Sequence, residues 1–482
     1  MAKFNQTQTI KTTNLSGHAA YAMPDRQKLV TQVLTSFFNE EKFYGDNTTD
    51  MTETIKRVIK TDPEFVSKLA VFARRVFNMR TVSHVLVGFL AHEVEGKPYV
   101  KKTIRGVVLR GDDVTEVLAF YLSTFGKPIP NALRRGLEDA FAAFDEYTLA
   151  KYKGEGKTVK MRDVLCLTRP KPKDAEQSAM WKRLLEGTIE TPITWETQLS
   201  AHGNNRETWE NLIDSGKVGY MALLRNLRNI INAHPRNIEK VWAKIGDPEA
   251  VRRSRQLPFR FLSAYKNLPD NAGSRAYDAL ENAARASVEN MPRLPGTTVI
   301  AVDTSGSMDS RVSAKSEIRC CEIGMMLGLL ANKICENSIY YEFDMAIRSA
   351  SLSHYTAILE TATHRARAGG GTDMGLPFEK MIKDGVQADR IIVISDNQCN
   401  HDSSWSFLYR DKTVQSLADA YRKQSGRNIW VHAIDLMGYG TQQFHGQRTN
   451  IIAGWSEKVF DFIRLAEQGE GELETAIAGY DW

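Results

Sequence analysis

The short segment from Asn290 to Gly296 divides this chain into two parts with different patterns. It contains two prolines and a glycine, residues that interrupt a helix. Before it, apolar residues recur with the spacing of one helical face, and almost nothing alternates with period two. After it, short apolar runs alternate with helical patterns. Because 482 residues exceed what one hydrophobic core usually holds, the sequence predicts two domains, at 1–294 and 295–482.

The first part reads as a series of helices joined by short polar or glycine- and proline-containing turns. Asp62, Pro63 and Glu64 have the order of an N-cap, a first-turn proline and an acid. Consecutive helical hairpins without a strict sequence repeat favour an all-α, HEAT-like helical-repeat array. Helices are predicted at 25–44, 65–79, 81–94, 113–125, 130–144, 174–185, 218–231, 235–245, 257–265 and 274–289.

The second part alternates between strands and helices. This alternation is typical of an α/β doubly wound fold, with a parallel sheet covered by helices on both faces. In such folds, ligands bind beyond the carboxyl ends of the strands. Strands are predicted at 297–302, 338–343, 390–395 and 428–435, and helices at 314–335, 354–368, 376–384 and 413–424.

Polar residues at strand ends of the second part predict a metal site. Asp303 ends the first strand, and Ser305 and Ser307 follow it. Thr372 follows three glycines, and Asp396 ends a later strand. Two carboxylates and three hydroxyls suit a hard divalent cation such as Mg²⁺. The pattern resembles the metal-ion-dependent adhesion site of von Willebrand factor A domains, and a degenerate, metal-free site is the alternative.

The net charge of +5 conceals two parts of opposite sign, +11 for residues 1–294 and −6 for 295–482. The densest basic stretch runs from Lys151 to Lys173 and contains only two acidic residues. Lysines and arginines in such a stretch can contact the phosphates of a nucleic acid, and a solvated loop is the alternative. The candidate RNA contacts are Arg134, Arg135, Lys151, Lys153, Lys157, Lys160, Arg162, Arg169, Lys171 and Lys173.

Three other features allow two interpretations each. Arg225 and Arg228 lie three residues apart on one helical face, where structural salt bridges are the simpler interpretation. The basic cluster 252–260 is either part of the same binding surface or plain surface. Tyr152 either stacks on a base or packs internally. No nucleophile–base pair or two-metal carboxylate cluster can be placed, so the chain is not expected to be an enzyme.

Cysteine usage and hydropathy bear on the compartment. The five cysteines include no C-x-x-C motif, and Cys320, Cys321 and Cys335 lie in or beside one apolar helical run. Buried thiols are therefore expected rather than disulfides, which favours a reducing compartment. No apolar stretch is long enough to cross a bilayer, and residues 1–9 lack the apolar segment of a secretory signal. A cytoplasmic location is the expectation.

Several longer phrases resemble those of one protein family. Met221–Leu227 matches its A-L-L-R-N-L phrase, and Met161–Pro172 resembles its D-L-L-R-L-S-H-x-K-P segment. Asn14–Tyr21, Glu41–Tyr44 and the metal-site phrases extend the likeness over nearly the whole chain. Together they resemble the Ro autoantigen family, in which a helical TROVE domain precedes a von Willebrand factor A domain. Arg169 departs from the family, which often has a histidine there.

The resemblance implies a ring of HEAT-like helical repeats closed by the A domain. It implies a Ro ribonucleoprotein of bacterial or phage type, which binds small noncoding Y-like RNA and the 3′ ends of structured or misfolded RNA. It also implies a role in RNA quality control with a 3′ exoribonuclease such as polynucleotide phosphorylase. We expect a monomeric protein without a membrane partner. The alternative is a metal-dependent protein-interaction adaptor without a direct RNA role, whose A domain binds a partner's acidic side chain.

Overall fold

A computed structural model describes residues 11–14, 19–35, 48–190, 192–254, 256, 258–289, 291–311, 317–399, 413–438, 441–453, 458–468 and 473–482. Their contacts form two compact units. The first contains the described residues of 1–36 and 204–473, and the second those of 37–203 and 474–482. The boundary predicted at 294/295 lies inside the first unit. As a domain boundary it stays a prediction, and so does the closed ring.

The described part begins with two short strands, β1 (Lys11–Thr13) and β2 (Ala19–Ala22), followed by the helix α1 (Asp25–Thr35). The sequence pattern predicted no strand in this region. The start of α1 agrees with the helix predicted at 25–44, whose end lies outside the described residues. Leu29, Val33 and Leu34 are buried along one face of α1, as the helical spacing of the apolar residues requires.

Helices make up the second unit. They are α2 (Thr48–Thr61), α3 (Pro63–Arg75), α4 (Thr81–His92), α5 (Val100–Val107), α6 (Gly111–Phe125), α7 (Asn131–Ala142), α8 (Glu146–Lys151), α9 (Met161–Thr168), α10 (Ala175–Glu186) and α11 (Trp195–His202). In α3, the side chain of Asp62 accepts a hydrogen bond from the backbone N–H of Phe65 at 3.0 Å, which caps the helix as predicted. Helices α3, α4, α6, α7 and α10 confirm five predicted helices. Helices α2, α5, α8, α9 and α11 were not predicted.

The described residues between 206 and 288 form seven more helices, which belong to the first unit. They are α12 (Arg206–Asp214), α13 (Tyr220–Arg225), α14 (Leu227–Ala233), α15 (Ile238–Ile245), α16 (Pro248–Ser254), α17 (Pro258–Lys266) and α18 (Ser274–Val288). The prediction of one helix over 218–231 is wrong, because the chain breaks at Asn226 into α13 and α14. The side-chain amide of Asn226 donates to the carbonyl of Ala222 at 2.9 Å and so competes with the helical backbone.

The strands after β2 are β3 (Leu294–Asp303), β4 (Cys335–Phe343), β5 (Ile347–Ala350), β6 (Arg390–Ser395), β7 (Trp430–Asp435), β8 (Thr441–Gln442) and β9 (Thr449–Ala453). Six of them form a sheet with the order β5-β4-β3-β6-β7-β9, which is the core of the C-terminal part. Its neighbouring strands are parallel except β4 and β5, which are antiparallel, so the sheet is mixed rather than wholly parallel. Every residue of β6 is buried, as expected for a strand covered on both faces.

The remaining helices are α19 (Cys320–Ile334), α20 (Leu359–His364), α21 (Leu376–Lys383), α22 (Val414–Ser425), α23 (Lys458–Glu467) and α24 (Leu473–Ala478), the last almost entirely in the second unit. The helix predicted at 354–368 is reduced to α20, and part of the predicted first turns of α19 lies outside the described residues. Among the described residues, no helix has the length and apolar character needed to cross a membrane.

Helices pack on both faces of the sheet. On one face, Phe378 of α21 and Tyr421 of α22 join Ile391 of β6 in one buried cluster. On the other face, α19 lies directly on β3. A Cβ atom added at Gly328 of α19 would lie 2.7 Å from a methyl carbon of Val302, so the glycine permits this close approach.

The two N-terminal strands are bound to the C-terminal part of the first unit. β2 pairs with β8 in antiparallel register, with Tyr21 opposite Gln442. The side-chain amide of Asn14, which is buried, donates to the carbonyl of Cys399. Gln27 of α1 donates to the Gln442 side chain at 3.1 Å. The start of the described chain is thus an integral part of the unit that contains the sheet.

Candidate metal centre and nucleic-acid interface

The two predicted acidic metal ligands lie at the carboxyl edge of the sheet. Asp303 is the last residue of β3, and Asp396 directly follows β6. Because β3 and β6 are parallel neighbours, their carboxyl ends meet at one edge. Both side chains are completely buried, with 0% exposure.

Hydrogen bonds organise the loop that follows β3. The backbone N–H of Ser305 donates to one carboxylate oxygen of Asp303 at 2.8 Å. Ser395 Oγ donates to the other at 2.6 Å, which joins the ends of β3 and β6. The Oγ atoms of Ser305 and Ser307 are 3.2 Å apart. Two predicted hydroxyl ligands therefore lie beside each other on the loop that Asp303 holds in position.

The glycine-rich loop is bound to the same segment. The backbone N–H of Gly306 donates to the carbonyl of Gly370 at 2.9 Å, and that of Gly369 donates to Thr304 at 2.9 Å. A Cβ atom at Gly306 would lie only 3.1 Å from the Gly370 oxygen, so a larger residue would push the loops apart. Thr372, which is buried, follows directly. The fold thus brings the three predicted segments together.

The electrostatics of this edge favour a bound cation. Burial, with a smaller contribution from the neighbouring Asp396, raises the pKa of Asp303 to about 7. Burial also raises the pKa of Asp396. Among the described residues, Asp396 Oδ2 is buried without a hydrogen-bond partner. Buried carboxylates without compensation are unfavourable, and a divalent cation would stabilise both.

The donor atoms available here are all oxygens, which fits a hard cation such as Mg²⁺. No group of three or more His, Cys, Asp or Glu side chains with the arrangement of a metal site occurs in the part of the chain that the structure describes. Hydroxyl oxygens would therefore have to complete a site at this edge, as the pattern of Ser305, Ser307 and Thr372 predicts.

Asp435 is a third buried carboxylate at this edge that the sequence analysis did not single out. It is the last residue of β7, the strand beside β6. One of its oxygens accepts hydrogen bonds from the backbone N–H groups of Met437 and Gly438 at 3.0 and 2.9 Å. Its other oxygen, Oδ2, is buried and has no hydrogen-bond partner within the described ranges. Burial raises its pKa to about 7. The predicted strand at 428–435 already ended in this carboxylate, which was the available signal.

Arg348 of β5 was also missed. Its guanidinium donates to the hydroxyl of Thr304 at 2.9 Å and to Asp344 at 2.5 Å. It therefore brings a cation, half exposed, to the loop that follows Asp303. No local pattern reveals this contact, because it depends on the antiparallel pairing of β5 with β4.

The candidate RNA contacts lie on and around α7 to α9, and several of them are engaged by the protein itself. Lys157 forms an ion pair with Glu116, and Lys153 donates to the carbonyl of Ile189 at 2.7 Å. Arg134 pairs with Glu138 and donates to the carbonyl of Thr168 at the end of α9. Arg162 and Lys173 each lie 3.9 Å from the neighbouring aspartate in the chain. These five side chains have structural partners.

The other five candidates are not paired with acids. No carboxylate of the described residues forms a salt bridge with them. Four are exposed and Lys160 is half-buried. Arg169 ends α9 with a φ of 55°, a left-handed conformation that is uncommon for a residue other than glycine. We call Arg135, Lys151, Lys160, Arg169 and Lys171 the unpaired basic surface.

Tyr152 belongs to the internal packing of this region. Arg110 lies over its ring at 5.4 Å from the centroid. A Cβ atom added at Gly111 would lie 2.7 Å from the same ring. Because protein groups already contact the ring, the packing interpretation agrees with the structure better than base stacking.

Two protein-family models match the chain. The model described as "TROVE domain" matches residues 25–188 and 178–291, and the one described as "Ro60 vWA domain" matches residues 297–428. The chain belongs to the Ro family. The order of the two matches agrees with the order of the helices and the sheet, and the resemblance inferred from the sequence phrases is confirmed.

Curated relatives of the family match by sequence over part of their lengths. Telomerase protein component 1 of Rattus norvegicus is 27% identical over 328 residues, covering 50% of this chain and 12% of that protein. Its counterpart in Mus musculus is 25% identical, with the same coverage. RNA-binding protein RO60 of Caenorhabditis elegans is 28% identical over 216 residues, covering 40% of this chain and 32% of that protein. The chain therefore spans about an eighth to a third of the length of these relatives.

A solved structure has the same fold. The crystal structure of Deinococcus radiodurans RO (RSR) protein superposes with a TM-score of 0.62 over 94% of this chain and 99% of that chain. The two chains are 18% identical, so this likeness concerns the fold alone. It confirms the predicted fold class, a helical TROVE region followed by a von Willebrand factor A domain.

Proposed function

We propose that this chain is the RNA-binding component of a Ro-type ribonucleoprotein. The observation that carries the proposal is the unpaired basic surface, five cations on the helical unit without carboxylate partners among the described residues. The family membership supports it, because one relative is named an RNA-binding protein. A cation without an acidic partner is free to neutralise a phosphate, whereas Lys157 would first have to leave Glu116.

Salt dependence distinguishes such a surface from a merely solvated one. Each cation that neutralises a phosphate releases condensed counterions, so the logarithm of affinity falls linearly with the logarithm of salt concentration. The magnitude of the slope of log affinity against log salt concentration is about 0.9 per phosphate contact for a duplex and about 0.7 for a single strand. The number of contacts that a variant loses can therefore be read from its slope.

The test replaces Lys151, Lys160, Arg169 and Lys171 with Gln in the full chain. Binding to a stem–loop RNA with a single-stranded 3′ tail is measured by fluorescence anisotropy at several salt concentrations. We expect weaker binding and a slope lower by roughly 3, from four lost contacts at about 0.7–0.9 each. Equal affinity and slope for variant and wild type would mean that this surface does not contact RNA.

A matched control removes the same charge from the same unit. Lys56, Lys101, Lys182 and Arg183 each form a salt bridge with a nearby acid. Their replacement with Gln should leave the salt slope close to that of the wild type. An equal loss in both variants would indicate a general effect of net charge rather than a binding surface.

We infer the class of RNA ligand and the protein partner from membership of the Ro family, not from a contact in the structure. We propose small noncoding Y-like RNA and the 3′ ends of structured or misfolded RNA as ligands. A 3′ exoribonuclease such as polynucleotide phosphorylase is the proposed partner in RNA quality control. Sequencing of RNA that copurifies with the full chain tests the first proposal. RNase-sensitive capture of the nuclease by the wild type, but not by the four-residue variant, tests the second.

We also propose that Asp303, Ser305, Ser307, Thr372 and Asp396 hold one divalent cation, probed as Mg²⁺. Bound there, the ion would supply positive charge for an anionic group of a ligand. The residues supply two buried carboxylates and adjacent hydroxyls, and the orphaned Asp396 oxygen fits an ion ligand. Calorimetry of the wild type and of Asp303→Asn with MgCl₂ tests the site, and unchanged binding in the variant would place the ion elsewhere.

The metal edge also supports the second candidate function, a protein-interaction adaptor. A partner's acidic side chain would then bind at the ion, and the helices would need no RNA. The two functions separate experimentally: an adaptor loses its partner in Asp303→Asn, whereas an RNA-binding protein loses RNA in the variant of the unpaired basic surface. Absence of RNA binding by the wild-type chain would favour the adaptor.

A further inference from the structure

The loop that begins with Asp396 is bound by the start of the chain. We call residues 11–14 and 19–22, which include β1 and β2, the N-terminal strap. The side-chain amide of Asn14, which is 5% exposed, donates to the backbone carbonyl of Cys399. Cys399 is buried and lies three residues after Asp396. The strap therefore makes a direct, buried hydrogen bond to the loop of a proposed metal ligand.

A second connection between the strap and this loop runs through β8. In the pairing of β2 with β8, Ala22 lies opposite Thr441. The carbonyl of Thr441 accepts a hydrogen bond from the side-chain amide of Asn397 at 2.7 Å. β8 has only two residues, and β2 is its one neighbour among the described strands. The backbone that binds Asn397 is therefore itself held in place by the strap.

The conformation of the loop depends on such contacts. Asn397 has a φ of 64°, a left-handed conformation that is uncommon outside glycine and that persists where surrounding contacts fix it. The backbone N–H of Asn397 donates to Ser395 Oγ at 3.0 Å, and the same hydroxyl donates to Asp303 at 2.6 Å. Asp396 lies between these two residues. The direction of its carboxylate is therefore set by the contacts that hold Asn397.

The same loop also contacts the glycine-rich segment. The thiol of Cys399 lies 3.6 Å from the backbone carbonyl of Thr372, to which it is a weak hydrogen-bond donor. Cys399 thus contacts the strap through its carbonyl and the backbone of a second proposed metal ligand through its side chain. One buried residue connects Asn14 to both segments.

We infer that the N-terminal strap positions the proposed metal ligands Asp396 and Thr372, with Asn14 as the positioning residue, so that strap docking and cation binding stabilise each other. The inference rests on the proposed divalent-cation site. Contacts that orient metal ligands raise the affinity for the ion, because the ligands no longer have to be ordered when the ion binds. This coupling is reciprocal: the factor by which the docked strap raises cation affinity is the factor by which the bound cation favours docking of the strap.

The first experiment replaces Asn14 with Ala in the full chain and measures the Kd for Mg²⁺ by titration calorimetry with MgCl₂. We expect the Kd to rise by roughly tenfold, because the loss of a hydrogen bond that supports metal ligands typically weakens binding by about 10–100-fold. The melting temperature is measured without Mg²⁺ in parallel. A merely structural role of Asn14 would lower the melting temperature and leave the Kd unchanged.

The matched control is Gln27→Ala, which removes an amide from the same end of the chain. The Gln27 side chain donates to Gln442 of β8 at 3.1 Å, not to the loop that follows β6. Its loss should leave the Kd for Mg²⁺ close to that of the wild type. Equal weakening in Asn14→Ala and Gln27→Ala would indicate a general loosening of this region and would reject the specific role of Asn14.

Hydrogen exchange of the wild type tests the reciprocal effect without a substitution in the strap, so it also applies if Asn14→Ala does not fold. Saturating MgCl₂ should slow exchange of the backbone amides of β1 and β2 by roughly the factor that Asn14→Ala loses in affinity. A peptide from α3, in the second unit, should not respond. In Asp303→Asn, MgCl₂ should not slow exchange of the strap, because the ion no longer binds.

The results separate the inference from the site on which it rests. If the wild type binds no Mg²⁺, the proposed site fails and the inference fails with it. If the wild type binds Mg²⁺ and exchange of the strap does not respond, the site is retained and the coupling is rejected. Equal Kd values for the wild type and Asn14→Ala would reject Asn14 as the positioning residue.

Discussion

Replacing Asp113 with Asn should strongly destabilise the second unit. Asp113 is completely buried at the start of α6. Its carboxylate accepts hydrogen bonds from Arg74 at 3.1 Å, Arg80 at 2.6 Å and His84 at 3.1 Å, which lie on or beside α3 and α4. It also accepts hydrogen bonds from the backbone N–H groups of Leu109 and Arg110, just before α6. One side chain thus connects three helices.

The magnitude follows from the buried groups that the substitution leaves without the carboxylate, above all the Arg74 guanidinium. Arg74 is 7% exposed and His84 is 4% exposed, so little water can replace the lost carboxylate. Breaking a buried ion pair by removing one partner costs about 3–5 kcal/mol. At roughly 2–4 °C per kcal/mol for a domain of this size, we expect the melting temperature of this unit to fall by about 6–20 °C.

Scanning calorimetry of the full chain measures the effect, and Asp139→Asn provides the control. Asp139 pairs with Lys101 at 2.6 Å, but both side chains are about half exposed, so its loss should cost less than about 1 kcal/mol.

The stabilisation by Asp113 also depends on pH. Its hydrogen-bond and charge partners hold the pKa of Asp113 far below its usual range, so its contribution to stability is present above the usual pKa and is lost at lower pH. The difference between variant and wild type should therefore shrink below about pH 4. A shift no larger than that of the control would refute the reasoning.

Two other outcomes are expected. The pKa of Glu467 is held at about 2 by His432 and Arg390, so its stabilisation is present above its unfolded pKa and is lost as pH falls from about 4.5 to 2. Over this pH range, the free energy of unfolding of the wild type should fall by about 3 kcal/mol more than that of Glu467→Gln. Equal pH profiles for the two proteins would contradict the assignment. MgCl₂ should raise the melting temperature of the wild type but not of Asp303→Asn, because a ligand stabilises only the state that binds it. Stabilisation of both proteins would place the ion at another site.

The elements that the sequence predicted well are those with strong local signals. α3 combines a cap, a first-turn proline and a continuous helical face, and β6 is a continuous apolar run between polar segments. β1 and β2 could not be predicted, because each has only a few residues, and because β2, the partner of β1, pairs with β8 from the far end of the chain. The break at Asn226 was missed for a different reason. The apolar spacing continues across it, while its own side chain interrupts the helix.

The candidate sites show the same limit. Asp303 and Asp396 could be assigned to one edge because parallel strands end together. Which cations of the basic segment are free could not be predicted, because the partner of Lys157, Glu116, lies 41 residues away. Arg348 reaches Thr304 only through strand pairing. Sequence periodicity locates side chains on their own elements, whereas their partners are determined by the packing of distant elements.

The pairing of β2 with β8 has a consequence for biosynthesis. Gln27 and its partner Gln442 are separated by 415 residues, which a ribosome translates in roughly 20–80 s at about 5–20 residues per second. During this time β1 and β2 can form only a two-stranded hairpin, which is marginally stable in water and has an unpaired edge. Helices α2 to α11 of the second unit are translated long before β8. The hairpin of β1 and β2 therefore meets its native neighbour β8 only long after it has left the ribosome.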